Sequence, residues 1–307
     1  MQSADRPQLK KTISGLGFFS LALGAMIGVG WITSLGGWLE EAGPVGAVCA
    51  FIVGGSLILL IGLCYAELTP MLPVTGGEVA YAYKALGTGK AFLTGWLLAF
   101  GYIAVCGFEA VSIGIVCSYL FPQFNTWPLY ELMGQPIYLP HVLLGLSTTV
   151  LIGWINYRGV SSAIKLQVAL TVLLAICLSG FVLGGIVNGN VSHLEPFFPE
   201  DSVKGPWLGF LSVLVSTPFW FVGFDTIPQA AEESGSSAII KRLGRYIIAA
   251  ILAAIVFYVM IILASALATP WPGLKNEALP TAKAIEEAFQ SSVAAKIVLF
   301  AGLLGLL

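Results

Sequence analysis

Glu109, in Gly107-Phe-Glu-Ala110, and Asp225, in Val222-Gly-Phe-Asp-Thr226, lie inside long apolar stretches, where an acid is costly. A carboxylate at membrane depth is rare and marks a bound cation, a proton or a ligand. Asp225 can bind a substrate amine, carry a coupled proton or cap the helix that follows it. Glu109 has no basic neighbour in sequence, so it faces a bundle interior, either protonated and hydrogen-bonded or in contact with substrate or proton. Both acids are read as coupling or gating residues. The backbone is the other source of chemistry. Gly24-Ala-Met-Ile-Gly28-Val-Gly30 can unwind, and Ser216-Thr-Pro218-Phe-Trp-Phe-Val-Gly223-Phe-Asp-Thr-Ile-Pro228 carries two prolines that each remove a donor. Free N–H and C=O groups are tolerated at that depth only where they are buried in protein or line a cavity, and there they can bind a ligand.

Other chemistries lack residues. His141 and His193 fall at the ends of apolar blocks, and Cys49, Cys64, Cys106, Cys117 and Cys177 lie singly inside them as small core residues, without disulfide or zinc spacing. No metal site, catalytic residue or cofactor is expected, and an intramembrane enzyme is the lesser reading. A channel would need rings of charge or a carbonyl filter motif, neither of which occurs.

The elements that must position these groups are membrane helices. Of the 307 residues, 57% are hydrophobic and 10% charged, and mean hydropathy is +0.91. The apolar residues fall in blocks of about 20, the length that crosses a hydrocarbon core of about 30 Å. Hydropathy predicts helices near 16–39, 45–66, 91–120, 139–156, 166–188, 207–231 and 246–269, with the start of an eighth near Val293. Residues 279–290 form an amphipathic helix too polar to span, expected on the outer surface as a lid, lever or simple loop helix. The net charge of −2 points to no nucleic-acid partner. With the N-terminus cytoplasmic, the inside segments hold Arg6, Lys10, Lys11, Lys84, Lys90, Arg158, Lys165, Lys241, Arg242 and Arg245. Only Lys204, Lys275, Lys283 and Lys296 fall outside, the bias expected of that orientation. The N-terminus lacks a cleavable signal, so the first block is a retained helix.

The first helix alone is also explained by close packing through small residues. The sixth tips the balance, because first and sixth helices are corresponding members of five-helix halves, and interruptions at matching places point to a binding site between inverted repeats. Ile27, Gly28, Val29 and Gly30 from one break, and Phe219, Trp220, Val222 and Gly223 from the other, are the candidate substrate-binding residues.

These breaks, with Tyr65-Ala-Glu67-Leu-Thr-Pro70-Met-Leu-Pro73-Val-Thr-Gly76-Gly77-Glu78-Val-Ala-Tyr81-Ala-Tyr83 after helix two, resemble the amino acid-polyamine-organocation permeases. That resemblance implies a LeuT-like all-α transmembrane fold of five-plus-five inverted repeats, of which about seven and a half helices are present. Residues 1–15 would be a cytoplasmic tail, 16–190 the first repeat, and 206–307 an incomplete second repeat of helices six, seven and the start of eight. In the family the glycine-rich break receives the substrate carboxylate. Here Val29 replaces a frequent Ser or Thr, which leaves the task to the backbone. Glu67, Pro73, Gly76, Gly77, Glu78 and Tyr81 form an inner-gate motif by the same likeness. Pro70 and Pro73 stop a helix, Gly76-Gly77 permit reversal, and Glu78 is placed to cap a short helix. Glu232 and Glu233 are read as a solvated helix end near Lys241 and Arg242. Helix five has no mid-membrane lysine, which leaves H+ or Na+ open as the coupling ion. The resemblance implies alternating-access transport of an amino acid across the cell (inner) membrane. A polyamine or other amine is an alternative substrate, and a truncated, non-transporting remnant an alternative identity. The lipid bilayer is the only other expected partner, and nothing in the sequence sets an oligomeric state.

Overall fold

The computed structural model describes residues 11–132, 135–158, 160–199 and 205–305. Arg6, Lys10 and Lys204, used above for orientation, lie outside the described residues, as does the expected tail before residue 11.

The chain enters the bundle at Ser14, whose Oγ accepts from Gly17 N–H at 3.1 Å and starts α1 (Gly15–Met26). Residues 27–29 leave helical geometry, and a short α2 (Gly30–Thr33) follows. α3 (Leu35–Met71) runs on across a single bend at Gly43, whose φ of 67° no L side chain adopts cheaply. The expected loop near 40–44 is therefore one left-handed glycine before Pro44, which needs no N–H partner. Past Pro73 and Gly76, α4 (Gly77–Leu86) and α5 (Thr88–Leu120) follow. An unanticipated antiparallel hairpin, β1 (Pro128–Leu132) and β2 (Gln135–Tyr138), caps one end of the molecule. Its strands are too short to stand out in a sequence dominated by 20-residue apolar blocks. We call this the hairpin end and the opposite one the N-terminal end.

The remaining helices are α6 (Leu139–Arg158), α7 (Val160–Asn188), α8 (Gly205–Trp220), α9 (Thr226–Gln229), α10 (Ser237–Ile240), α11 (Leu243–Ala268), α12 (Pro280–Phe289) and α13 (Ser292–Gly305). Among the described residues, five apolar helical segments have spanning length: 15–33, 35–71, 88–120, 164–188 and 243–268. α8 and α13 are shorter. The protein is thus an all-α, multi-pass membrane protein, and Phe92, Trp96, Phe100 and Ile103 stand exposed along α5 as lipid-facing residues do.

The core forms where α3 packs along α11 and α8, and α1 along α11 and α7. Its centre is aromatic: Trp38, Phe51 and Tyr258 pack at 4.6–5.9 Å between centroids, with Trp31 edge-on to Phe257 at 5.7 Å. α12 corrects the sequence expectation. Rather than lying on the surface, it buries Ala282, Ala284, Ile285 and Ala288, and Thr281 Oγ1 donates to Trp31 O at 2.7 Å. The amphipathic pattern is real, but its apolar face has a protein partner; Lys283 and Glu287 pair at 3.0 Å on the outside.

Without a hydrophobic force between helices in lipid, close approach depends on small residues. A Cβ on Gly244 of α11 would lie 2.3 Å from the Ala66 carbonyl oxygen of α3, backbone that cannot rotate away. Gly244→Val is expected to lower stability by about 1–3 kcal/mol, the usual cost of overpacking, read as a fall in melting temperature of the detergent-solubilised protein. Gly107→Ala, with no neighbour within 4 Å, is the control and should cause no fall. Equal melting of the two variants would refute the packing argument.

Candidate functional site

The two interrupted helices meet each other. Gly223, at φ 130°, sits so close to α1 that a Cβ there would lie 2.7 Å from Ala25 Cβ and 2.8 Å from Met26 N. Tyr258 of α11, 1% exposed, joins the breaks: its hydroxyl lies 2.8 Å from Met26 O and 3.1 Å from Trp220 O, the last carbonyls before each interruption. Hydropathy hides this residue, since a tyrosine in an apolar block reads as core.

The glycines of the first break make room for side chains. Cβ atoms at Gly24, Gly28 and Gly30 would lie 1.9 Å from Gln167 Nε2, 1.9 Å from Glu109 Oε1 and 2.2 Å from the Trp220 ring. Gln167, on α7, is a neutral neighbour that the sequence did not suggest; its amide donates to Thr171 Oγ1 at 3.4 Å. Ile27 does not join this group. It closes α1 by donating to Leu23 O at 2.9 Å, and it lines an adjoining, mostly apolar groove of about 450 Å³ with Gly24, Leu174 and Phe257.

The acids divide. Glu109 accepts from Val29 N–H through both oxygens, at 3.3 and 3.2 Å, so the expected free amide of the first break is already occupied. Asp225 accepts from Gly223 N–H at 3.1 Å through Oδ1, and from Tyr102 Oη at 2.6 Å and Gln229 Nε2 at 3.1 Å through Oδ2. It does not cap α9. Its oxygens turn back to the break instead, because Gly223 presents its N–H two residues upstream while Tyr102 and Gln229 hold the other side.

Toward the hairpin end, Phe108, Phe219 and Trp220 stack edge to face at 5.0–5.5 Å, and Trp220 meets Trp38 at 5.1 Å. Val222 lies half-buried in the turn beneath them. Beyond, a cavity of about 320 Å³ opens among Tyr119, Asn125, Tyr138, Glu277 and Glu286. Sequence reasoning missed it because the hairpin forms one wall.

The N-terminal end is tied shut. Gly76 (φ 106°) and Gly77 turn the chain so that α4 begins against Pro228 and Gln229. Tyr81 Oη donates to Thr69 Oγ1 at 3.3 Å, and Tyr65 packs on Phe224. Glu232 accepts from Thr75 N–H and Oγ1 at 3.2 and 2.8 Å, while Glu233 O accepts from Thr12 and Ile13 N–H at 3.0 Å each. The acidic end expected near Lys241 and Arg242 is thus also knotted to the loop before α4 and to the chain start, through bonds of Glu232 that stay exposed. Pro73 lies in that loop; Glu67 is exposed on α3 and makes none of these bonds.

Glu78 does not cap α4. Gly76 is the N-cap residue, and the Glu78 carboxylate is buried with no partner at full hydrogen-bond geometry. Burial pushes it up to about 7 and the Asp225 charge adds to this, against its own backbone N–H and the nearby Gln229 and Tyr65 side chains. No cluster of three metal-ligating side chains occurs among the described residues.

A protein-family profile described as amino acid permease matches residues 13–307. The chain is 32% identical over 234 residues to the amino-acid permease RocC of Bacillus subtilis, covering 75% of this chain and 48% of that protein. It is 29% identical to RocE of the same organism, over 86% of this chain and 55% of that one, and 26% identical to the Bacillus subtilis methylthioribose transporter, over 93% and 61%. The chain spans about half the length of the first two.

Two outcomes follow. Tyr258→Phe is expected to destabilise by about 1 kcal/mol, the net worth of a typical hydrogen bond, and to speed amide exchange in both breaks; faster exchange in neither would refute the tie. Glu78, with its folded value raised from 4.5 to about 7, stabilises as the neutral acid. Its contribution is full below about 4.5 and is lost as pH rises through 7. Between pH 5 and 8 the wild type should lose more melting temperature than Glu78→Gln, and parallel curves would exclude the buried-acid account.

Proposed function

This chain belongs to the amino acid permease family, and from that premise we propose that it carries an amino acid or a closely related amine across the cytoplasmic membrane by alternating access. The observation that carries the reading is the contact of two interrupted helices at Gly223 and Ala25, beside an intramembrane carboxylate and under an aromatic stack. Interrupted helices of this kind place polar backbone where a solute can use it.

In this reading the N-terminus is cytoplasmic, as the Lys and Arg distribution favours. The knot of Thr75, Glu232, Glu233, Ile13 and the α4 start is then the inner gate, and Phe108, Phe219 and Trp220 are the outer one. Asp225 is a gating residue, since Tyr102 of α5 and Gln229 of α9 both bond to it. Opening inward requires Tyr102 to leave Asp225, and Thr75 to leave Glu232. Coupling to H+ or Na+ is part of the proposal. The names of RocC, RocE and a histidine permease of Bacillus subtilis support an amino acid, and that of the methylthioribose transporter a wider solute range.

Uptake of radiolabelled amino acids and amines into proteoliposomes of the purified chain tests this. Saturable uptake is expected, reduced at least tenfold by Asp225→Asn. Loss of uptake with a proton ionophore assigns H+, and loss on removing Na+ assigns Na+. Absence of uptake by correctly inserted protein would overturn the proposal.

A further inference from the structure

Glu109 and Asp225 are both intramembrane acids, but their bonding leaves them with different capacities. A carboxylate offers about four acceptor sites. Asp225 has three protein donors from three residues. Glu109 shares a single N–H, that of Val29, between its two oxygens, and no Lys, Arg or His pairs with it among the described residues. A carboxyl at this depth, with a single amide for company, keeps acceptor capacity that a cation can fill.

The surroundings suit one. The Glu109 head lies against Gly28 and the Trp220 ring against Gly30, two residues along the same break, and Trp220 stacks edge-on with Phe108 and Phe219. Aromatic faces attract ammonium groups within about 6 Å of the ring centroid. Gly28 admits the Glu109 head against the backbone, and any side chain there would displace it. The geometry is therefore built around this carboxylate.

We propose that Glu109 is the ammonium-binding side chain of the central site and that, because its carboxylate already holds the Val29 amide, the site favours an organic amine over the corresponding α-amino acid. This rests on the reading of the chain as a carrier of such solutes. An amine adds its positive charge to a carboxylate that keeps its bond to Val29 N–H. An α-amino acid brings a second carboxylate, which must either evict Glu109 from Val29 N–H or lie near it, and two like charges in a low-dielectric site repel. Neutral packing of the solute's side chain against Trp220 would be the same in both cases, so the preference belongs to the head group.

The test is equilibrium binding to the purified chain in lipid nanodiscs, using matched pairs: agmatine with arginine, cadaverine with lysine, isoamylamine with leucine. The wild type is expected to bind each amine at least tenfold more tightly than its partner. Glu109→Gln, which keeps the shape and removes the charge, should lose at least tenfold in amine affinity. Glu109→Ala, which frees Val29 N–H, should narrow or reverse the preference. Melting temperatures of both variants show whether they remain folded, and the wild-type ratios decide the matter where they do not. Amino acids that bind as tightly as their amines, or a preference that survives Glu109→Gln, would overturn the inference and leave the carrier reading standing. If no compound of either class binds and none is taken up, both fall.

Discussion

Backbone polar groups inside a bilayer must find partners within the protein, and the bonds that cross between helices at the centre of this bundle gather at two places where helical hydrogen bonding stops. At the first, Met26 O is met by Tyr258, Val29 N–H by Glu109, and Trp31 O by Thr281. At the second, Trp220 O is met by the same Tyr258, Gly223 N–H by Asp225, and Gly223 O by Thr226 Oγ1 at 2.6 Å. The partners come from α5, α11 and α12 as well as from the broken helices. The interruptions therefore recruit their neighbours, and removing any one partner leaves an unpaired group where water cannot serve it.

This recruitment sets how close the helices must come. Side chains that reach a backbone need space on it, and the glycines supply that space: Gly28 for Glu109, Gly30 for Trp220, Gly24 for Gln167. Glycines in membrane helices commonly bring two backbones together. Those of the first break seat three long side chains from three different helices, while Gly244 and Gly223 do bring backbones together. One residue type thus solves two problems, and only the contacts tell which.

Much of the architecture was legible. Hydropathy placed the spans because their length is set by the bilayer, and Pro218, Pro228 and the glycine runs marked both breaks because proline removes a donor and glycine lifts the Cβ restriction on the backbone. The amphipathic segment near 279–290 was recognised as helix, yet its place was misjudged, since a buried apolar face and a lipid-facing one have the same spacing. The roles of the acids were open for a similar reason. Asp225 could bind an amine, carry a proton or cap the following helix, and its oxygens bond Gly223, Tyr102 and Gln229; Glu109 had no basic neighbour in sequence, and its donor, Val29 N–H, is 80 residues away and belongs to the backbone. The hairpin, Tyr258 and Gln167 left no periodic or compositional signal at all. What the sequence conceals is which side chains cross between helices, as that depends on rotations fixed only by packing.

Tyr258 has one hydroxyl proton and two carbonyls within reach. At any instant it can donate fully to only one of them, so the joint between the two broken helices is satisfied by a proton that changes sides. Sliding one helix past the other need not break a bond and form another in sequence. The tyrosine can remain with Met26 or with Trp220 while the other carbonyl turns to a new donor, such as an incoming solute or water. Any relative movement of the two broken helices must therefore be accommodated at one shared hydroxyl of α11.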